Sequence, residues 1–162
     1  MEAAAAPPLR RSHPAMLAAT LCGVGFMPRA PGTWGTLVAL PFAWLVARAW
    51  GAGGLVAGAF VLFVLGWWAA AAVTRVCGKD PQFIVIDEAA GQFLALAAAP
   101  PLDPWFYVAA FGLFRIFDIA KPFPVGWADR RIGGGFGVMF DDALAAVYAA
   151  LVLMIARLLL GR

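Results

Sequence analysis

AWGAGGLVAGAFVLFVLGWWAAAAVT, residues 49–74, runs for 26 positions between Arg48 and Arg75 without one ionisable side chain. A helix needs about 20 apolar residues to cross the hydrocarbon of a bilayer, so this stretch is long enough. It opens on Gly51-Ala52-Gly53-Gly54, a place where a helical chain can turn back. Outward from it, the other charge-free stretches are 30–47, 89–102, 104–114 and 143–156. The first, and the last if Arg157 snorkels and the helix continues to Leu160, are plausible spans. The two in the middle are short, and Pro100-Pro101-Leu102-Asp103-Pro104 between them cannot continue a helix. They read as a helical hairpin that partly crosses. No period-two alternation supports a barrel, and lipid exposure leaves little else but helices. The expected fold is all-α, a compact multi-helix membrane bundle of two helical hairpins plus a C-terminal helix.

Composition points the same way. Apolar residues make up 64% of the 162-residue chain and charged ones 13%, against roughly 45–50% apolar in a soluble domain. A soluble fold of this size has too little interior to hide that excess. Residues 1–13 read as a disordered tail and 14–162 as a single helical domain. Arg10-Arg11 ahead of an apolar run has a signal-like look, but Pro14 interrupts it and no small-residue cleavage site follows. His13, the one histidine, is expected in solvent with the tail. Cys22 and Cys77 have no metal-ligand spacing and are expected as buried apolar packers.

The charges are unevenly placed. Eight of the nine acids lie between Asp80 and Asp142. With turns at 51–54 and 100–104, one face of the bundle receives Arg10, Arg11, Arg29, Arg75, Lys79, Arg115, Lys121, Arg130 and Arg131. The other receives Arg48, Arg157 and Arg162. The excess of basic residues puts the first face in the cytoplasm. No basic run long enough to track a nucleic acid exists, so DNA and RNA are set aside as partners.

Four polar clusters fall on that same face. In Gly23–Thr36 a Pro/Gly-rich loop leads into a helix start near Thr33 to Thr36. Free N–H groups there could cradle a phosphate, with Gly32 and Thr33 as substrate contacts, or Thr33 or Thr36 could simply cap the helix. In Ile84–Gln92, Asp87 and Glu88 sit between apolar flanks. Burying both is costly unless a cation answers them, and Mg²⁺ takes such oxygen ligands together with a substrate phosphate. A plainer reading places them in a first helical turn, favoured by the dipole. Gly91 would let another helix come close. In Phe114–Pro124, Arg115 and Asp118 share a helical face and Pro122 ends that helix, placing Lys121 at its mouth. Arg115 and Lys121 can grip phosphate, or merely form a structural ion pair and a snorkelling lysine. In Gly133–Ala143, glycines approach Asp141-Asp142 at a helix start, as two more ligands or as a cap. Five carboxylates on one face of so apolar a chain would raise one another's pKa without a compensating cation.

Those motifs resemble the phosphatidylglycerophosphatase A family: Pro31–Thr36, Ile86-Asp87-Glu88 with Gly91, Phe114–Ile119 with Lys121-Pro122, and Gly134–Asp142. They run in the family's order and span residues 23–146. Ala89-Ala90 is smaller than is usual there. The resemblance implies an all-helical, Mg²⁺-dependent phosphatase of the bacterial inner membrane, active site toward the cytoplasm. It would convert the anionic lipid phosphatidylglycerophosphate to phosphatidylglycerol and inorganic phosphate, the last step of that lipid's synthesis. On this expectation Asp87, Glu88, Asp118, Asp141 and Asp142 hold metal. Asp118, Asp141, Arg115 and Lys121 are catalytic, and Gly32, Thr33, Arg115 and Lys121 contact substrate. No motif contains a histidine to act as nucleophile. Two other classes compete. A small transporter or channel subunit would use the acids as an ion path, but then they belong in mid-span rather than at span ends. A structural assembly partner leaves the clustered acids unexplained.

Overall fold

In the computed structural model the described residues, 9–78 and 81–161, are helical, with no strand among them. The order is α1 (Pro14–Ala19), a 3-10 turn (Val24–Phe26), α2 (Pro31–Cys77), α3 (Ile86–Leu96), α4 (Pro104–Ala120), α5 (Val125–Arg131) and α6 (Gly134–Leu159). Most of the expected tail, with Lys79, Asp80 and Arg162, lies outside the described residues. Leu9, just inside them, packs against the core around Ala15 and Met16. Exposed His13 accepts a hydrogen bond at Nδ1 from the Ala15 amide and so caps α1.

The long α2 is two helical arms. Gly51 has φ 62° and ψ −155°, a region open to essentially glycine alone. In an unbroken helix Ala39 and Ala59 would stand about 30 Å apart. Here both belong to one apolar core with Ala43, Ala47 and Leu55, closed by Ala89, Phe93 and Leu96 of α3. Small residues make that packing close. A Cβ on Gly91 would meet the Phe114 ring of α4 at 2.5 Å, and one on Gly135 of α6 would run into the backbone of Ala71 in α2. α3 is thereby enclosed, with Ala89 and Ala90 buried against the arms of α2.

Two helices, Pro31–Cys77 and Gly134–Leu159, are long and apolar enough to cross a membrane. The 11 residues of α3 and 17 of α4 make the middle segments short, as their sequence suggests. Phe42, Trp50, Phe60, Val61, Ile155 and Leu158 are exposed. The apolar excess therefore lies largely on the surface, which marks contact with something other than water.

Three local expectations are corrected. α2 begins at Pro31 rather than at Thr33 to Thr36, and neither threonine caps it. Proline suits the first helical position because its missing N–H would have had no partner, and the Thr36 hydroxyl instead donates back to the Gly32 carbonyl at 2.9 Å. α6 begins at Gly134, so Asp141 and Asp142 lie about two turns inside it rather than at its start. Of the glycines before them, Gly135 and Gly137 serve close packing, a Cβ on Gly137 striking the Ile132 carbonyl, while Gly134 supplies a φ of 68°. Both cysteines are exposed, not buried, because each closes an element: Cys22 in the turn after α1 and Cys77 at the last position of α2.

Candidate active site

Four elements line one cleft of about 380 Å³, and three of them bring charge to it. The first turn of α2 supplies Gly32, the first turn of α3 supplies Asp87 and Glu88, and the C-terminal part of α4 with its cap supplies Arg115, Asp118 and Lys121. α6 adds Asp141 and Asp142. All five carboxylates singled out in the sequence thus line one space, together with both cations and Gly32. Thr33, the remaining proposed substrate contact, is half-buried but does not line it.

The acids divide into two groups by their partners. One oxygen from each of Asp87, Glu88 and Asp142 lies within 4.8 Å of the other two. Glu88 Oε2 and Asp142 Oδ2 are buried with no hydrogen-bond partner among the described residues. Burial first, then the neighbouring carboxylates of Glu88 and Asp142, pushes the Asp87 pKa well above the ordinary carboxylate range. Burial also raises Glu88, only partly offset by hydrogen bonding to Asp87 and by the guanidinium of Arg115. Buried, mutually repelling oxygens with unmet lone pairs are what a hard divalent cation satisfies, and the donor set suits Mg²⁺.

The second group is already answered by protein cations. Arg115 Nη1 lies 2.7 Å from Asp118 Oδ2 and 3.6 Å from Glu88 Oε1. The closer contact is not aligned as a hydrogen bond, and the buried Nε has no partner among the described residues. The guanidinium therefore keeps donors to spare. Lys121 Nζ donates to Asp129 Oδ1 at 2.7 Å and Asp141 Oδ2 at 2.8 Å. Burial opposes its charge, but those two hydrogen bonds and carboxylates outweigh it and hold the ammonium above the usual lysine pKa. Lys121 occupies the left-handed region, φ 45°, at the cap of α4. Gly32 is needed for space, because a Cβ there would collide with Glu88 Oε1 and approach Arg115 Nη1.

Sequence reading missed Asp129. It sits beside Arg130 and Arg131, whose charges drew attention to topology, and the apolar flank that would mark it as costly is present on one side only, at Trp127-Ala128. The available signal was its place, eight residues after Lys121 in a polar segment that also carries Arg130 and Arg131.

A family model described as phosphatidylglycerophosphatase A matches residues 17–157. A protein of Haemophilus influenzae named phosphatidylglycerophosphatase A is 40% identical, covering 86% of this chain and 86% of its own length. One of Escherichia coli with the same name is 38% identical, covering 90% and 84%. A protein of Bacteroides thetaiotaomicron, provisionally named as a phosphatidylinositol-3-phosphatase, is 41% identical, covering 94% and 99%. No solved structure matches the chain.

Proposed function

The chain belongs to the phosphatidylglycerophosphatase A family, and from that membership we propose that it hydrolyses phosphatidylglycerophosphate to phosphatidylglycerol and inorganic phosphate. The observation that carries the reading is the division of labour in the cleft. Among the described residues the clustered carboxylates Asp87, Glu88 and Asp142 meet one protein cation, Arg115 at 3.6 Å from Glu88, while Arg115 and Lys121 keep donors suited to a phosphate.

Asp87, Glu88 and Asp142 would hold Mg²⁺, with Asp118 and Asp141 within the same cleft as further ligands. When bound, Mg²⁺ supplies neutralisation of phosphate oxygens and acidification of water. Arg115 grips the phosphate through its spare donors, with Asp118 fixing the guanidinium plane. Lys121 offers an ammonium to charge growing on the transferring group. Gly32 lets backbone and substrate come close at the helix start, and Thr33 stands one residue further on. Asp118 contacts Arg115 at 2.7 Å and Asp141 contacts Lys121 at 2.8 Å, so each cleft cation already has a catalytic carboxylate against it.

The molecule is proposed to sit in the bacterial inner membrane as a multi-pass domain of two hairpins, α2 folded at Gly51 and α3 with α4, followed by α6. The cleft then faces the cytoplasm. The basic residues near it support that orientation by the positive-inside bias. So placed, the cleft meets headgroups rather than an ion path through mid-membrane.

The test is phosphate release in mixed micelles from phosphatidylglycerophosphate, phosphatidylinositol 3-phosphate and phosphatidic acid, with Mg²⁺ and then with chelator. Release from phosphatidylglycerophosphate that stops with chelator is expected. No release from it under any condition refutes the reading. Preference for phosphatidylinositol 3-phosphate would favour the second lipid, which the name of the Bacteroides relative brings forward.

A further inference from the structure

The Lys121 ammonium is held from two sides by two helices. Asp141 of α6 lines the cleft, whereas Asp129 of α5 does not line it and reaches Lys121 from behind. The surrounding chain is built to keep that arrangement. The Lys121 amide donates to the Phe117 carbonyl at 3.0 Å and so closes α4. A Cβ on Gly126 would lie 2.6 Å from the Lys121 carbonyl, so the first turn of α5 rests directly on this residue. The Tyr148 hydroxyl of α6 donates to the Phe123 carbonyl at 2.8 Å and pins the turn between α4 and α5.

An extra carboxylate at a phosphate-binding cation weakens its pull on an anion. Its presence needs a purpose other than affinity. An ammonium carries three N–H donors on a flexible stem; here two are engaged. We propose that Asp129 is a positioning residue, which with Asp141 fixes the Lys121 ammonium so that its third donor is held ready for a substrate phosphate oxygen. The inference rests on the phosphatase reading above. It accounts for why a short helix, α5, is packed against the cap of α4.

The variants Asp129→Asn, Asp129→Glu, Lys121→Met and the double variant Asp129→Asn/Lys121→Met test it, assayed with phosphatidylglycerophosphate and Mg²⁺ and checked for unchanged thermal unfolding. Losing a positioning partner of a reactive group lowers activity by about 10- to 100-fold. That loss is expected in kcat for Asp129→Asn, with KM unchanged or lower because a negative charge has left. Asp129→Glu should recover most of it, and Asp129→Asn should add nothing in the Lys121→Met background. Wild-type kcat in Asp129→Asn, a rise in KM alone, or an equal further loss in the double variant would overturn the proposal. A readout that needs no turnover separates this from failure of the substrate assignment. Modification of Lys121 by an amine-reactive ester, followed by mass spectrometry, should be several-fold faster in Asp129→Asn. An unchanged rate overturns the anchoring, whichever lipid is hydrolysed.

Discussion

Gly32 and Arg115 meet at one point of the cleft, where the absent side chain of the first makes room for the second and for Glu88. Gly32→Ala should therefore displace a carboxylate and a guanidinium together. Misplacement by about 1 Å can cost roughly 100-fold, and a loss of that order in kcat, with normal insertion and unfolding temperature, is the expected result in the micelle assay. Arg115→Lys keeps the charge but gives up the planar guanidinium whose Nη1 reaches Asp118 and Glu88 while its other donors stay available. It should lower kcat/KM by about 10- to 100-fold, comparable to losing one donor to the developing oxyanion. If Arg115→Lys retained full activity, a simple ion pair would describe that side chain adequately. At this scale the carboxylates were legible because acids with apolar flanks stand out against 64% apolar residues. Gly32 was legible as part of a glycine-rich loop, although its actual duty toward Glu88 needed coordinates. Asp129 was not legible, since an acid next to two arginines looks solvated and its true partner is Lys121.

α2 shows what glycine spacing says and what it leaves unsaid. The cluster at 51–54 suggests a turn, but only the backbone singles out Gly51 as the break. Gly53, with ordinary helical φ and no atom within 4 Å of an added Cβ, is indifferent. Gly51→Ala should destabilise the fold by roughly 1–3 kcal/mol, the cost of forcing a side chain into that region. Gly53→Ala should leave stability unchanged or slightly higher, since alanine is the better helix former. Thermal unfolding in one detergent compares the two, and equal melting temperatures would mean the arms are not held by that bend. The start of α6 was misjudged for a related reason. Gly133-Gly134-Gly135 followed by Gly137 has loop composition, yet close contacts of Gly135 with Ala71 and of Gly137 with Ile132 go with a helix that already begins at Gly134. Tertiary packing overrides local preference there, and no pattern within the segment announces it.

Across the whole molecule, the cleft gathers more negative charge than its own cations answer, and this gives stability a dependence on pH. Asp87 and Glu88 have folded-state pKa values raised above their ordinary 3.8 and 4.5. Below the ordinary values both states are protonated and nothing is gained or lost. As pH climbs past them toward the raised values the unfolded chain ionises first, so the metal-free fold is progressively penalised. Unfolding temperature in chelator should fall over that climb, and Mg²⁺ should restore it more at pH 8 than at pH 5. A flat profile with no Mg²⁺ effect would argue that those oxygens bind no cation. The all-helical character was legible from composition and run lengths alone, because hydrocarbon permits few other structures. The convergence of four distant segments on one cleft was only inferable by folding the string at its breaks. The exposure of Cys22 and Cys77 has a practical use at this same scale. Cys77 lies at the end of the bundle where α2 closes and α3 opens, whereas Cys22 lines an apolar groove with Val38, Phe42, Leu62 and Phe93. On the proposed orientation Cys77 is a built-in sidedness marker: a maleimide that cannot permeate lipid should tag it in inverted vesicles and spare it in intact spheroplasts.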